Sequence, residues 1–105
     1  MKIVIIGATG FVGTNIVKEA VERGHQVLAL ARNPQKITPS EAVTAARVDV
    51  NDSQALAEAI RGYDVVVHAF AAPRSDSVEE RIARQTDGTK SIIRAVKQTG
   101  IQRLI

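Results

Sequence analysis

Residues 2–13 read Lys2-Ile3-Val4-Ile5-Ile6-Gly7-Ala8-Thr9-Gly10-Phe11-Val12-Gly13. An unbroken apolar run here meets a bend with glycine at every third position. A short apolar run bounded by glycine reads as a strand covered on both faces, as in a parallel sheet. Beyond the bend, Val12, Ile16, Val17, Ala20 and Val21 recur at helical spacing, with Asn15, Lys18, Glu19 and Glu22 on the opposite side. That pattern predicts a first helix from about residue 10 to residue 23. Strand, glycine bend and helix, in that order, are the first unit of an alternating α/β chain.

The unit recurs. Gly24, Gly62 and Gly100 are each 38 positions apart, and each follows a segment of helical periodicity and precedes an apolar run. Glycine just past a helix end adopts the left-handed backbone at little cost. The runs predict strand 1 at Lys2–Ile6, strand 2 at Gln26–Ala31, strand 3 near residues 44–48 and strand 4 at residues 64–69. Asp52 is a good N-cap for a second helix burying Ala55, Leu56, Ala59 and Ile60. Ser77 and Glu80 have capping-box spacing and open a third helix, with Ile82, Thr86, Thr89, Ile93 and Val96 along one side. Gly88 inside that helix costs about 1 kcal/mol relative to alanine unless close packing requires it. Residues 33–43 hold Pro34 and Pro39 and predict a loop with at most one helical turn. The expectation is one domain over residues 1–105, a doubly wound parallel sheet of order 3-2-1-4-5. The chain stops three residues into its fifth strand, so strand 4 is expected as an open edge and the chain as the N-terminal part of a longer protein.

Composition narrows the function classes. The chain is 45% hydrophobic, 24% charged and 3% aromatic, near the globular average, which argues against disorder. It has no cysteine, which excludes disulfides and thiolate metal sites and fits a reducing cytoplasm. The apolar run at residues 3–6 is far too short for a signal-peptide core or a membrane span. Net charge is +3, with 14 basic residues scattered among 11 acidic ones and only one Tyr and two Phe, so no base-stacking platform exists and nucleic acid is not expected as a partner.

The bend carries the sharpest chemical signal. Gly7 gives the reversal its backbone freedom, Gly10 lets the main chain approach a diphosphate, and Gly13 lets the helix pack closely on the strand. The first-turn amides then face the anion with the positive end of the helix dipole. The competing reading is a tight turn whose glycines serve packing alone. At the end of strand 2, an acidic residue would bond the ribose hydroxyls of NAD. Here the run is Ala31-Arg32-Asn33-Pro34-Gln35-Lys36, with no acid before Glu41. Arg32 can pair with a 2′-phosphate and Lys36 is a second cation, which predicts NADP(H) over NAD(H); the alternative is two solvated loop charges. Asp49 can accept a bond from the adenine amino group while Val50 packs on the ring, although Asp49 serves equally as a turn or cap residue. Ala69, Phe70 and Ala71, after strand 4, lie where ligands bind in open α/β sheets. His68, within that strand, reads as a packed core histidine. Residues 73–77 are expected to face the crevice.

The stretch GATGFVG at residues 7–13, Ala31-Arg32-Asn33-Pro34, Asp49-Val50 and the segment from Asp87-Gly88-Thr89 to Leu104-Ile105 together resemble the short-chain dehydrogenase/reductase superfamily. The likeness covers essentially the whole chain. It is to the extended and atypical branches: NAD-dependent epimerase/dehydratases, NmrA-like proteins and NAD(P)H-flavin or biliverdin-reductase-like proteins. The resemblance implies that Gly7, Ala8, Thr9, Gly10, Phe11, Val12 and Gly13 form the diphosphate turn, and that Arg32, with Asn33 and Lys36, forms the 2′-phosphate loop. It implies Asp49 and Val50 at the adenine, and Ala69, Phe70 and Ala71 along the adenosine-nicotinamide stretch. The Arg-Asn-Pro-x-Lys loop is more similar to the NADP-preferring atypical branch than to the sugar epimerases.

One departure matters. The superfamily's enzymes usually carry Tyr-x-x-x-Lys, in which tyrosine exchanges the substrate proton and lysine lowers its pKa. The only tyrosine here is Tyr63, and four residues on stands Val67. No catalytic residue is assigned within the chain, and Gln85 stands where relatives hold asparagine. Two functions follow: the dinucleotide-binding part of an NADP(H)-dependent oxidoreductase or epimerase, or a non-catalytic NADP(H) sensor of the NmrA-like kind that acts through a protein partner. The expected partners are the dinucleotide and a small-molecule substrate, with homo-oligomer formation left open.

Overall fold

Alternation along the first two strands decides how the molecule is layered. In β1 (Lys2–Ile6), Val4 and Ile6 face one side of the sheet and Ile3 and Ile5 the other; in β2 (Gln26–Ala31), Leu28 and Leu30 oppose Val27 and Ala29. Both faces are covered, which is why these strands read as continuous apolar runs. A computed structural model describes residues 1–72 and 77–105. One face packs on α1 (Phe11–Glu22) through Ile16, Val17 and Ala20. The other packs on α2 (Ser53–Ile60) and α3 (Val78–Thr99) through Leu56, Ile60, Ile92 and Val96. With β3 (Val43–Arg47), β4 (Val65–His68) and β5 (Arg103–Leu104), the sheet has the order β3-β2-β1-β4-β5, and every described pairing is parallel. This is a Rossmann-like doubly wound fold. Among the described residues, no helix is long and apolar enough to cross a membrane.

β1 and β2 have the expected bounds. β3 begins one residue earlier than expected, and β4 is trimmed at both ends. The single turn in the proline loop is a short 3-10 helix at Pro34–Lys36. Gly24, Gly62 and Gly100 all have positive φ, as their repeat predicts. β4 is not left as an edge, because Val65 and Val66 pair with Arg103 and Leu104 of β5. Asp52 caps α2 by accepting from the Ala55 amide at 3.0 Å, and Ser77 caps α3 by accepting from the Glu80 amide at 3.2 Å.

Three packing expectations need correction. Val12 is not on the buried stripe of α1; it is 60% exposed beside Phe11, at 86%. Ala57 rather than Ala55 turns inward from α2. The buried side of α3 is Gly88, Ser91, Ile92, Ala95 and Val96, so the helix is rotated from the predicted stripe, leaving Ile82 and Ile93 exposed. Small residues prevail there because α3 lies close to α2 and to Phe70: a β-carbon on Gly88 would overlap the Phe70 ring.

Candidate functional site

The glycine bend is fastened to the sheet by its own backbone. The amides of Gly7 and Ala8 both donate to the carbonyl of Leu30 in β2, at 3.0 and 3.2 Å. The Gly10 amide donates to the Gly7 carbonyl at 3.3 Å, and the Thr14 hydroxyl to the Ala8 carbonyl at 3.2 Å. Gly7 has φ +89°, and a β-carbon there would come within 2.6 Å of the Ala69 carbonyl oxygen; one on Gly13 would overlap the Gly7 carbonyl oxygen. These two glycines are demanded by packing. Gly10 is different: it is exposed, has φ −72°, and its β-carbon would meet only the Gly7 carbonyl oxygen at an ordinary 3.6 Å. The chain itself would accept a side chain at residue 10, so its absence keeps open the space outside the bend.

That space is the mouth of a cavity of about 170 Å³, lined by Gly7, Thr9, Gly10, Arg32, Asn33, Val50, Ala69, Phe70 and Ala71, with Ile6, Leu30, Ala31 and Val48 at its floor. These residues come from the carboxyl ends of four parallel strands. Val48 continues the β3 ladder by donating to the Ala31 carbonyl at 3.2 Å, and Ala69 continues that of β4 by donating to the Ile6 carbonyl at 2.9 Å. The amides of α1's first turn have no intrahelical acceptor, and no side chain of Gly10 caps them. Such a terminus offers donors and partial positive charge to an anion. The donor set and the open bend fit a dinucleotide's diphosphate.

The expected site residues are not all equivalent. Ala8 is buried, and the side chains of Phe11 and Val12 turn toward Ile3, Ile16 and His25 on the far side of α1, so these residues present only backbone to the bend. Lys36 closes the 3-10 turn and lines neither this cavity nor its neighbour. Asp49 has the turn role expected as one of its alternatives, its Oδ1 accepting from the Asn51 amide at 2.9 Å, and it lines a second recess that shares Arg32, Val48, Val50 and Phe70 with the first. Residues 73–76 of the segment expected to face the crevice lie outside the described residues.

Two residues named in the sequence, Gln85 and His68, turn out to be positioning groups, a role the sequence did not indicate. Gln85 of α3 accepts from the Ala72 amide at 2.7 Å and donates to the Phe70 carbonyl at 3.0 Å, clamping the cavity-lining segment after β4. His68 accepts at Nδ1 from the Phe70 amide at 3.2 Å, so its proton resides on Nε2 and is donated to the Thr89 hydroxyl at 2.9 Å. Burial lowers the His68 pKa below the usual histidine value. His68 is thus a packed histidine, as expected, but one that ties β4 to α3. Tyr63, the lone tyrosine, lies at the opposite end of β4 under the Lys2 ammonium, which is 4.9 Å from the ring centre. That is six residues, about 20 Å of extended chain, from Ala69 at the cavity.

The family model described as NAD(P)H-binding matches residues 7–105. The 2-alkyl-3-oxoalkanoate reductase of Stenotrophomonas maltophilia is 37% identical over 106 residues, spanning 100% of this chain and 32% of its own length. The 3-beta-hydroxysteroid dehydrogenase of Mycolicibacterium neoaurum is 29% identical over 112 residues, spanning 99% of this chain and 31% of its own. Among solved structures, the Bordetella bronchiseptica enzyme WbmG in complex with NAD matches with a TM-score of 0.84 and 25% identity, covering 99% of this chain and 36% of that one. The chain therefore spans about a third of the length of these relatives. With a glycine bend at the carboxyl edge of a 3-2-1-4-5 sheet and a family match over nearly every residue, the chain belongs to the NAD(P)H-binding family, as a Rossmann domain of the extended short-chain dehydrogenase/reductase, or epimerase/dehydratase, type.

Proposed function

We propose that this chain is the cofactor-holding domain, over residues 1–105, of an oxidoreductase or epimerase that uses NADP(H) in preference to NAD(H). The observation that carries the reading is the convergence of Gly7, Thr9, Gly10, Arg32, Val50, Ala69 and Ala71 on one cavity. In this reading the amides of Phe11, Val12 and Gly13 hold the diphosphate. Val50 and Asp49 receive the adenine, and Ala69, Phe70 and Ala71 support the path toward the nicotinamide. When bound, the nicotinamide supplies hydride transfer, and the protein's part is to position it.

The preference for the 2′-phosphate rests on Arg32. It is exposed at the cavity rim, has no carboxylate within ion-pair distance among the described residues, and replaces the acid that an NAD site uses to bond ribose hydroxyls. A guanidinium offers two parallel donors to a phosphate. Isothermal titration of the chain with NADPH and NADH tests this directly. The expected result is a Kd at least about tenfold lower for NADPH, roughly 1.4 kcal/mol. Equal affinity, or tighter NADH binding, sinks the preference.

A second reading, a non-catalytic NADP(H) sensor of the NmrA-like kind, draws support from Tyr63, which stands at the sheet's amino end with Val67 four residues on. Oxidation of bound NADPH by flavin or quinone acceptors separates the two: turnover favours the reductase, and a partner whose affinity changes with NADPH favours the sensor. A cysteine-free chain fits a reducing cytoplasm in either case.

A further inference from the structure

Beside the dinucleotide cavity lies a second recess of about 410 Å³, lined by Arg47, Asp49, Asn51 and Arg84, with Arg32, Val48, Val50 and Phe70 common to both. Three arginines and a single aspartate thus line one recess. Arg84 is compensated, because it forms an ion pair with Glu80 one turn earlier on α3. Asp49 has an oxygen occupied by the Asn51 amide. Arg47 differs from both. It is the last residue of β3, in register with Ala31 and so directly beside the strand end that presents Arg32. Among the described residues, neither Arg32 nor Arg47 has a carboxylate within ion-pair distance. Two uncompensated cations brought together at adjacent strand ends repel each other, and an anion between them removes that repulsion. Lys36, the cation nearest to Arg32 along the chain, does not line the recess.

We propose that Arg47, not Lys36, is the second cation for the 2′-phosphate, and that the Arg32–Arg47 recess is the element that separates NADP(H) from NAD(H). This rests on the reading of the site given above. A phosphate monoester carries between one and two negative charges at neutral pH and offers three acceptor oxygens, enough for two guanidinium groups.

The test uses the 105-residue chain and five proteins: wild type, Arg47→Gln, Arg47→Lys, Lys36→Gln and Arg84→Gln. All three positions are exposed, so circular dichroism and thermal melting are expected to match wild type. Calorimetric titration with NADPH, NADH, 2′,5′-ADP and 5′-AMP then reads the 2′-phosphate contribution as the ratio of paired affinities. Arg47→Gln is expected to lower the NADPH-to-NADH and 2′,5′-ADP-to-5′-AMP ratios by about tenfold while leaving NADH and 5′-AMP within twofold of wild type. Lys36→Gln and Arg84→Gln are expected to change neither ratio by more than about twofold. Arg47→Lys restores part of the ratio, since the charge returns without the second donor. A wild-type preference for NADPH that survives intact in Arg47→Gln, or that Lys36→Gln removes, overturns the assignment of Arg47 and leaves the NADP(H) reading standing. A wild-type chain with no preference overturns both.

Discussion

Gly13 is stacked so tightly over Gly7 that a β-carbon on it would overlap the Gly7 carbonyl oxygen, whereas one on Gly10 would sit 3.6 Å from the same atom. The three glycines of the bend therefore have separable roles. Gly13→Ala is expected to cost more than about 2 kcal/mol of unfolding free energy, because the obstruction is backbone and cannot step aside. Gly10→Ala is expected to cost no more than about 1 kcal/mol, the difference between glycine and alanine at an exposed N-cap, while weakening NADPH binding by tenfold or more. Urea unfolding read beside calorimetric titration checks both. A Gly10→Ala chain that binds NADPH as wild type does would show that the open space has no ligand to admit.

Gln85 bridges the Phe70 carbonyl and the Ala72 amide with the two ends of one amide group. Gln85→Ala leaves a partly buried donor and acceptor without their partners, at an expected cost of about 1–2 kcal/mol. Hydrogen exchange at the Ala72 amide is expected to accelerate, and NADPH affinity to fall, because the wall of the cavity after β4 loses its tether. Unchanged exchange at Ala72 would show that the β4 ladder alone holds the segment.

His68 makes stability depend on pH in a definite direction. Burial lowers its pKa in the folded chain, and Nδ1 must stay unprotonated to accept from the Phe70 amide. Its contribution is present above about pH 6.5, the value of an unfolded histidine, and is lost as pH falls from there through the lowered folded value, since the unfolded chain takes up the proton first. Urea midpoints of wild type are expected to fall between pH 7.5 and 5.5 more steeply than those of His68→Gln. Parallel pH profiles in the two proteins would remove His68 from the account.

Gly88 and Phe70 set two effects against each other. Alanine at 88 gains about 1 kcal/mol of helix preference but collides with the Phe70 ring, and overpacking of that kind costs about 1–3 kcal/mol. The collision is expected to win in the wild-type background, so Gly88→Ala destabilises. In a Phe70→Ala background the same substitution is expected to stabilise, because only the helix preference remains. A thermal double-mutant cycle reads the change of sign.

Much of this was legible in the sequence where a single local demand fixed the residue. Gly7 and Gly24 need positive φ, Asp52 and Ser77 cap helices, and β1 and β2 are apolar on both faces because both are covered. Reading α3 by its bulky apolar residues failed, since its buried face is built from Gly88, Ser91 and Ala95, whose value lies in being small against α2 and Phe70. Lys36 is the expected second cation because it is close to Arg32 along the chain, and the proposal made above moves that role to Arg47. Arg47 lies 15 positions away, and only the parallel pairing of β2 with β3 brings it alongside. The role of Gln85 was not legible, because its partners Phe70 and Ala72 lie 13 to 15 positions away and only the packing of α3 on the end of β4 brings them together.

The central claim is that the amides at the start of α1 hold a dinucleotide's diphosphate. A proton–nitrogen correlation NMR titration of the labelled chain with NADPH tests it most directly. The account predicts the largest shifts at the amides of Phe11, Val12 and Gly13, with smaller ones at Val50, Ala69 and Ala71. Shifts that leave the bend untouched, or none at millimolar NADPH, would contradict it.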